Sequence, residues 1–141
     1  MRIYLDASVL VAAFTGDVHN STAERVLRSR PVIVVSDFAA AEFASAISRQ
    51  VRTRDLTVEE ARRVFANFDA WTTREARRVE TTPADVAACA GWLRRLDLPL
   101  RTPDALNIAI ARRVDARLLT FDARMETSAK TLGVAVLDRA L

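Results

Sequence analysis

The chain has 141 residues, half of them hydrophobic, which is the size of one domain with a sizeable core. It carries a net charge of +3 and a single cysteine, Cys89, so an internal disulfide and a cysteine-based zinc site are excluded. No apolar run approaches the roughly 18 residues that a membrane span needs. The apolar start MRIYLDASVLVAAF contains Asp6 and lacks a small-residue cleavage site, so we expect a cytoplasmic protein rather than a secreted one.

Segments with a strand pattern alternate with segments with a helical pattern along the whole chain. Apolar and β-branched runs predict strands at residues 2–5, 32–35, 77–81, 117–121 and 134–137. Apolar spacing predicts helices at residues 7–14, from about 20, 37–52, 58–73, 83–96, 104–114 and 123–131. N-caps are expected at Ser36, Thr57, Thr82 and either Asn20 or Ser21. Gly133 is expected just past the end of the last helix, at its C′ position.

This alternation predicts an α/β fold with a mostly parallel sheet and right-handed crossovers. We find no linker and no internal repeat, so residues 1–141 are expected to form a single domain. Ligands of such sheets bind outside the carboxyl ends of the strands, at the point where the strand order reverses. Asp6 and Asp122 each follow a predicted strand, so both acids are expected at that edge.

The acid Glu42 lies in an unusual setting, the stretch DFAAAEFASAI, in which small and apolar residues surround it. A buried carboxylate needs a partner, because leaving it unpaired in the interior is costly. One candidate partner is Arg49, two helical turns further on; the other is a metal ion. Asp6 also has two possible roles: it could bind a metal ion, or it could simply cap the next helix, with Ser8 orienting it.

A third aspartate, Asp104, follows Pro103 in RTPDALNIAIA, at the start of a helix whose positive dipole end favours an acid. Asn107 lies three residues along on the same face, either beside the acid or on the surface. Asp122 could cap its own helix, and Glu126 is a less favoured substitute for it. Together the four acids are hard oxygen ligands, which select Mg²⁺ or Mn²⁺ over zinc.

Two further residues are expected to have structural rather than functional roles. Cys89 falls in a helical pattern and is expected to be a small buried hydrophobe. His19, the single histidine, lies in a polar connection and is expected at the surface. The mildly basic charge is compatible with a nucleic-acid partner without identifying one.

These motifs, YLDASVLVAAF, the isolated Glu42, RTPDALNIAIA and LLTFDARM, closely resemble those of the PIN-domain nucleases, and within them the VapC-type toxins of toxin–antitoxin pairs. The resemblance runs along nearly the whole chain. It implies a five-stranded parallel sheet flanked by helices on both faces. It also implies an Mg²⁺ or Mn²⁺ site formed by Asp6, Glu42, Asp104 and Asp122.

The resemblance further implies hydrolysis of an RNA phosphodiester, tight binding by an antitoxin protein, and a homodimer. Ser8 and Thr120 match hydroxyl residues that the family often carries beside its acids, and Asn107 stands where many relatives have histidine, a difference that bears on substrate handling. Arg101 and Arg49 are candidates for holding the RNA backbone. Part of the helical pair at 37–53 and 58–73, which carries several aromatic residues, would form the groove for the antitoxin.

Other functions remain possible from the sequence. Haloacid-dehalogenase-type phosphatases also place an aspartate after the first strand, but they use a second aspartate two residues on, where this chain has Ser8. A response-regulator receiver domain would need an acid pair at the first strand and a lysine after the last, and neither is present. A degenerate PIN-like module that binds RNA or assists assembly without cleaving is the remaining alternative.

Overall fold

The computed structural model describes residues 1–29 and 31–138. Its strands are β1 (Arg2–Leu5), β2 (Val32–Ser36), β3 (Ala76–Val79) and β4 (Arg117–Leu119). Its helices are α1 (Ala7–Phe14), α2 (Asn20–Arg28), α3 (Asp37–Arg52), α4 (Val58–Glu75), α5 (Pro83–Leu93), α6 (Thr102–Arg113) and α7 (Ala123–Thr131).

Within the described residues, the strands form one parallel sheet in the order β3-β2-β1-β4. The chain therefore moves outward from β1 through β2 to β3 and then crosses back to the other side of β1. This places the reversal of strand order between β1 and β4. The α/β fold with a parallel sheet is confirmed, and the reversal marks the edge at which a ligand is expected.

The prediction of five strands was wrong, because the segment at 134–137 forms only an isolated bridge between Leu118 and Val136. The Leu118 N–H donates to the Ala135 carbonyl at 2.9 Å, and the Leu137 N–H donates to the Leu118 carbonyl at 2.8 Å. Both bonds involve the same residue of β4, which is only three residues long. A fifth strand would need a longer neighbour to pair with.

The strands β3 and β4 also end earlier than predicted, because the residues predicted to end them form hydrogen bonds with side chains instead of with a neighbouring strand. The Phe121 N–H donates to the Ser8 hydroxyl at 3.0 Å instead of to a neighbouring strand. Thr81, predicted to end the third strand, donates its N–H and its hydroxyl to Asp37, at 2.9 and 2.6 Å. Polar side chains at the carboxyl edge thus take over the backbone groups that would otherwise extend the sheet.

The two faces of the sheet carry separate hydrophobic clusters, because successive strand residues point to opposite sides. Ile3 and Leu5 of β1 face the cluster that also contains Phe43 of α3 and residues of α1, α2 and α4. Tyr4 faces the second cluster, which contains Ile108 of α6 and residues of α5 and α7. Helices therefore cover both faces, as predicted, and strands buried on both sides explain the runs RIYL and VIVV.

Most helix starts follow the predicted caps, with one correction at α2. Ser36, Thr57 and Thr82 cap their helices as predicted. The N-cap of α2 is His19 rather than Asn20 or Ser21, and it makes no side-chain capping bond. The Asn20 amide instead donates to the Ala12 carbonyl at 2.7 Å, where it closes the end of α1.

Two smaller predictions concern Gly133 and Cys89. Gly133 follows α7 with a φ of 75°, a left-handed conformation that glycine adopts without a steric penalty. Cys89 is buried, as predicted. In the described part of the chain, we find no helix with the length and apolar character needed to cross a membrane.

Candidate metal and RNA site

Three of the four predicted acids lie in short connections or first turns at the carboxyl edge of the sheet. Asp6 directly follows β1, Asp122 lies three residues beyond β4, and Asp104 is in the first turn of α6. Glu42 lies in the second turn of α3, the helix that follows β2. Asp6 and Asp122 flank the point where the strand order reverses, which is where this class of sheet binds ligands.

Asp6 is 5% exposed, and donors surround both of its carboxylate oxygens. The Ser8 hydroxyl donates to Oδ1 at 2.6 Å, and the Val9 N–H donates to the same oxygen at 3.2 Å. The Thr120 hydroxyl donates to Oδ2 at 2.6 Å. Since Leu5 pairs with Leu119 in the β1–β4 register, the next residue of each strand lies side by side, which explains the contact with Thr120.

The same two hydroxyls fix the segment that leads to Asp122. The Ser8 oxygen accepts the Phe121 N–H at 3.0 Å, and the Thr120 oxygen accepts the Asp122 N–H at 3.0 Å. Asp122 then caps α7 by accepting the N–H groups of residues 124 and 125. The orienting role expected of Ser8 is therefore present in the structure, and Thr120 takes the equivalent place on the other oxygen.

Asp104 and Asp122 also act as ordinary helix-capping acids, because each accepts at least one backbone N–H at the start of its own helix. The Arg101 N–H donates to Asp104 at 3.3 Å, one residue before α6 begins. Asp6 likewise caps α1. Capping and a shared site are thus compatible, since a helix N-terminus that begins at the carboxyl edge points its capping acid into that edge.

Glu42 has Asn107 as its partner, and no salt bridge joins it to Arg49 in the described chain. The Asn107 amide donates to Glu42 Oε1 at 2.7 Å and to the Pro103 carbonyl at 2.9 Å. The amide oxygen of Asn107 accepts the Tyr4 hydroxyl. A bond between α3 and α6 therefore crosses the carboxyl edge of the sheet.

Three of the four acids have raised pKa values, for which burial is the main cause and the charge of another acid a further one. Burial raises the pKa of Asp6 above its ordinary value, and the charge of Asp122 adds to that rise. Burial also raises the pKa of Glu42, with further contributions from the charges of Asp6 and Asp104. Burial raises the pKa of Asp104, and the charge of Asp122 again adds to it. Negative charge on neighbouring acids thus disfavours ionisation of Asp6, Glu42 and Asp104, as expected for a site that a cation would neutralise.

The donor set fits a hard divalent cation, although the side chains are not drawn into a cage. Among residues 1–29 and 31–138, no group of three His, Cys, Asp or Glu side chains is close enough to hold one ion. Three of the acids, Asp6, Asp104 and Asp122, accept backbone N–H groups at the starts of helices, which turns their carboxylates toward those helix ends. Magnesium tolerates this, because it usually takes one or two carboxylates and completes its coordination with water and substrate phosphate.

An open cleft of about 580 Å³ adjoins the acids, and Asp104 and Asp122 line it together with Arg101 and Arg124. Two arginines beside two acids suit a polyanion that must approach a metal site. Arg49 lies in a different hollow, between the end of α3 and the connection after α1. Glu126 pairs with Lys130 one turn on along α7, at 3.1 Å.

Sequence reasoning missed several residues around the site. The sequence pattern places Tyr4 in a strand and Ser36 at a helix cap, and neither position by itself indicates a role in the site. The Tyr4 hydroxyl in the otherwise apolar end of β1 is a signal that a polar partner lies nearby. Arg124 was not singled out. His19, predicted at the surface, is half buried and stacks on Phe121 with ring centres 4.4 Å apart and planes at 17°.

The chain matches the PIN-domain family model over residues 3–130. It is 35% identical over 139 residues to Ribonuclease VapC46 of Mycobacterium tuberculosis, which covers 96% of this chain and 95% of that protein. The crystal structure of Mycobacterium tuberculosis VapC20, described as a toxin that cleaves the sarcin–ricin loop, matches with a TM-score of 0.73 and 22% identity. That match covers 89% of this chain and 94% of that one.

A further fold match is VapBC2 from Rickettsia felis bound to a DNA fragment from its promoter, with a TM-score of 0.72 and 15% identity over 98% of both chains. Identities this low establish the fold alone. The family match and the more similar relative establish membership, and the motifs that carried the sequence resemblance lie within the matched residues. The chain belongs to the PIN-domain family and, within it, to the VapC type.

Proposed function

We propose that this chain is the toxin of a toxin–antitoxin pair, an endoribonuclease that hydrolyses RNA phosphodiester bonds with a divalent metal, Mg²⁺ first and Mn²⁺ as the alternative. The observation that carries the proposal is the placement of four acids from separate elements at the carboxyl edge of the sheet, with Asp6 and Asp122 on either side of the reversal of strand order. The 35% identity to a ribonuclease over nearly the full chain supports the same reaction. RNA as the substrate also leads us to propose a cytoplasmic location.

The four acids Asp6, Glu42, Asp104 and Asp122 would hold the metal. A bound divalent metal activates a water molecule and offsets charge on the phosphate oxygens. The hydroxyls of Ser8 and Thr120 hold the Asp6 carboxylate in place and favour its ionised form. Arg101 and Arg124 would bind phosphates of the RNA strand as it enters the cleft.

The decisive experiment is cleavage of RNA by the purified protein with Mg²⁺, with Mn²⁺ and with EDTA, beside the variant Asp104→Asn. A matched control is Asp69→Asn, which removes the same charge from an exposed position of α4. We expect metal-dependent cleavage by the wild type and by the control, and none by Asp104→Asn. Cleavage that survives in Asp104→Asn would refute the assigned site. RNA affinity without any product would instead identify a non-catalytic module, and turnover of a phosphomonoester would identify a phosphatase.

The antitoxin is proposed to bind between α3 and α4. A hollow of about 320 Å³ there is lined by apolar side chains of Val51, Val58 and Phe65 and flanked by Arg52 and Arg62. An apolar stripe bordered by arginines suits an amphipathic helix with acidic flanks. The remaining large aromatics of this helical pair, Phe43 and Phe68, are buried, and Phe38 and Trp71 are partly buried in the two cores.

The variant Val58→Glu tests the groove, because Val58 is 52% exposed and a charge there should not disturb the core. Val86→Glu on α5 is the control, with a matched exposure of 53%. We expect Val58→Glu to keep RNA cleavage and to escape neutralisation by the small protein encoded beside the toxin, while Val86→Glu stays neutralised. Equal neutralisation of both variants would place the antitoxin elsewhere. A homodimer remains a separate proposal, which light scattering of the purified chain tests.

A further inference from the structure

Three buried polar side chains, Ser36, Tyr4 and Asn107, form a continuous chain of hydrogen bonds that ends on Glu42. The Ser36 oxygen is 2.6 Å from the Tyr4 hydroxyl, which lies 2.5 Å from the Asn107 amide oxygen. The Asn107 nitrogen is 2.7 Å from Glu42 Oε1. The first three side chains come from three different elements, β2, β1 and α6, so only the tertiary fold brings them together.

The direction of each bond follows from counting donors. An amide oxygen can only accept, so the single proton of the Tyr4 hydroxyl goes to Asn107. Ser36 must then donate to Tyr4, and the Ser36 oxygen in turn accepts the Ala39 N–H at 2.9 Å. The two amide protons of Asn107 go to Glu42 and to the Pro103 carbonyl. Each proton has one acceptor, and rotating the amide by half a turn would place its oxygen against two acceptors.

Because these side chains are buried, water cannot readily replace a hydrogen bond that the chain loses. Tyr4 is 0% exposed, Ser36 is 1% exposed and Asn107 is 3% exposed. Without the Tyr4 hydroxyl, the Asn107 oxygen would be a buried acceptor with no donor, which is unfavourable enough to favour rotamers that reach another donor. Any such movement withdraws the amide N–H from Glu42, whose carboxylate would lose the only side-chain bond that the structure gives it in the described residues.

We propose that Tyr4 is a positioning residue, which acts through the Asn107 amide to hold the Glu42 carboxylate at the metal site. This inference rests on the proposed function, because it assigns Glu42 to that site. Ser36 is the outer end of the chain and is not needed for the orientation, because the Tyr4 hydroxyl can donate to Asn107 without it. Tyr4 and Ser36 should therefore differ in what their loss does, although they are adjacent in the same network.

The test compares Tyr4→Phe with Ser36→Ala in two measurements without RNA: Mn²⁺ affinity by calorimetry and folding stability by urea unfolding. We expect Tyr4→Phe to bind Mn²⁺ about tenfold more weakly, the range typical for groups that orient metal ligands. Ser36→Ala should lose stability, since the cap of α3 is gone, and should keep wild-type affinity. Equal affinity in wild type and Tyr4→Phe would overturn the proposal, and so would an equal loss of affinity in Ser36→Ala.

A double-mutant cycle tests whether Tyr4 acts through Asn107. Asn107→Leu should weaken Mn²⁺ binding at least as much as Tyr4→Phe, and the double variant should lose no more than Asn107→Leu alone. Additive losses would overturn the proposed route. The side-chain amide signals of Asn107 in the NMR spectrum of the metal-free protein give an independent reading. A shift of these signals in Tyr4→Phe, and no shift in Ser36→Ala, supports the proposal, whereas unchanged signals in Tyr4→Phe overturn it.

The metal-binding and NMR measurements distinguish a failure of this inference from a failure of the proposed function on which it rests. If the wild type bound no divalent metal, the nuclease proposal would fail, and the amide signals would still decide whether Tyr4 orients Asn107. If the wild type bound metal and Tyr4→Phe bound it equally, the inference would fail and the nuclease proposal would stand.

Discussion

The variant Thr120→Val removes one hydroxyl that contacts Asp6 in the proposed metal site and leaves the shape of the side chain nearly unchanged. Thr120 is 1% exposed, and its hydroxyl donates to Asp6 at 2.6 Å and accepts the Asp122 N–H at 3.0 Å. A hydrogen bond to a charged group contributes about 1.5–3 kcal/mol and a neutral one about 0.5–1.5 kcal/mol. The added methyl group returns about 1 kcal/mol at most. We therefore expect the free energy of unfolding to fall by about 1–3.5 kcal/mol.

The effect should depend on pH, because the hydroxyl stabilises the ionised form of Asp6. The pKa of Asp6 is raised in the fold, chiefly by burial, so stability is highest below the ordinary carboxyl pKa and is lost as pH rises through the raised one. Without the Thr120 hydroxyl that pKa rises further. The gap between variant and wild type should thus be small in acid and complete once Asp6 is ionised in both.

Urea unfolding of the metal-free proteins, followed by circular dichroism across a pH series, measures this directly. The control is Thr127→Val, at an exposed position of α7 whose hydroxyl donates only to a carbonyl of its own helix. That variant should change stability by less than about 0.5 kcal/mol. A Thr120→Val protein as stable as the wild type at neutral pH would refute the claim that this hydroxyl supports a buried, ionised Asp6.

Three further predictions concern other parts of the molecule. Ser128→Ala should raise the free energy of unfolding by about 1 kcal/mol in urea, because the Ser128 hydroxyl is buried and has no partner among the described residues; a loss of stability would contradict this. Arg113→Met should cost about 3 kcal/mol at neutral pH, because it leaves the buried Asp85 carboxylate without its cation. Burial raises the pKa of Asp85, but hydrogen bonds from Arg113 and Thr82 outweigh it, so the pKa is lowered in the fold. The stability difference between wild type and Arg113→Met should therefore shrink as pH falls through that lowered pKa, and a difference independent of pH would contradict the prediction. Without metal, Asp104→Asn should melt at a higher temperature than the wild type when the pH is above the raised pKa of Asp104, and at the same temperature in acid. Mg²⁺ should raise the melting temperature of the wild type alone. Equal stabilisation of both proteins by Mg²⁺ would contradict the proposed site.

The elements most accurately predicted are those whose signals are local. The capping boxes at Thr57 and Thr82 begin their helices at the predicted residue, because a cap acts on N–H groups only two or three residues away. Gly133 lies past the end of α7 for the same local reason. The second helix was less accurate, since Asn20 bonds across the connection to Ala12 and leaves the cap position to His19.

The candidate site divides in the same way. The acids Asp6, Asp104 and Asp122 could be singled out because each stands where a strand ends or a helix begins, and Glu42 because its neighbours are small and apolar. Their convergence on one edge of the sheet could not be derived from their spacing along the chain, since it depends on which strands are neighbours. The partner of Glu42 illustrates this: a helical-turn argument suggested Arg49, whereas the fold supplies Asn107 from another helix.

The sequence by itself determined the alternation of strands and helices, most of the helix starts and the choice of the four candidate acids, because hydrophobic periodicity and capping are properties of neighbouring residues. The tertiary structure decided the strand order, the failure of residues 134–137 to form a fifth strand, and the bonds that join Thr120 to Asp6 and Tyr4 to Asn107. Those bonds link residues more than a hundred positions apart. They form because parallel strands carry distant residues to one edge, where burial requires each polar group to find a partner.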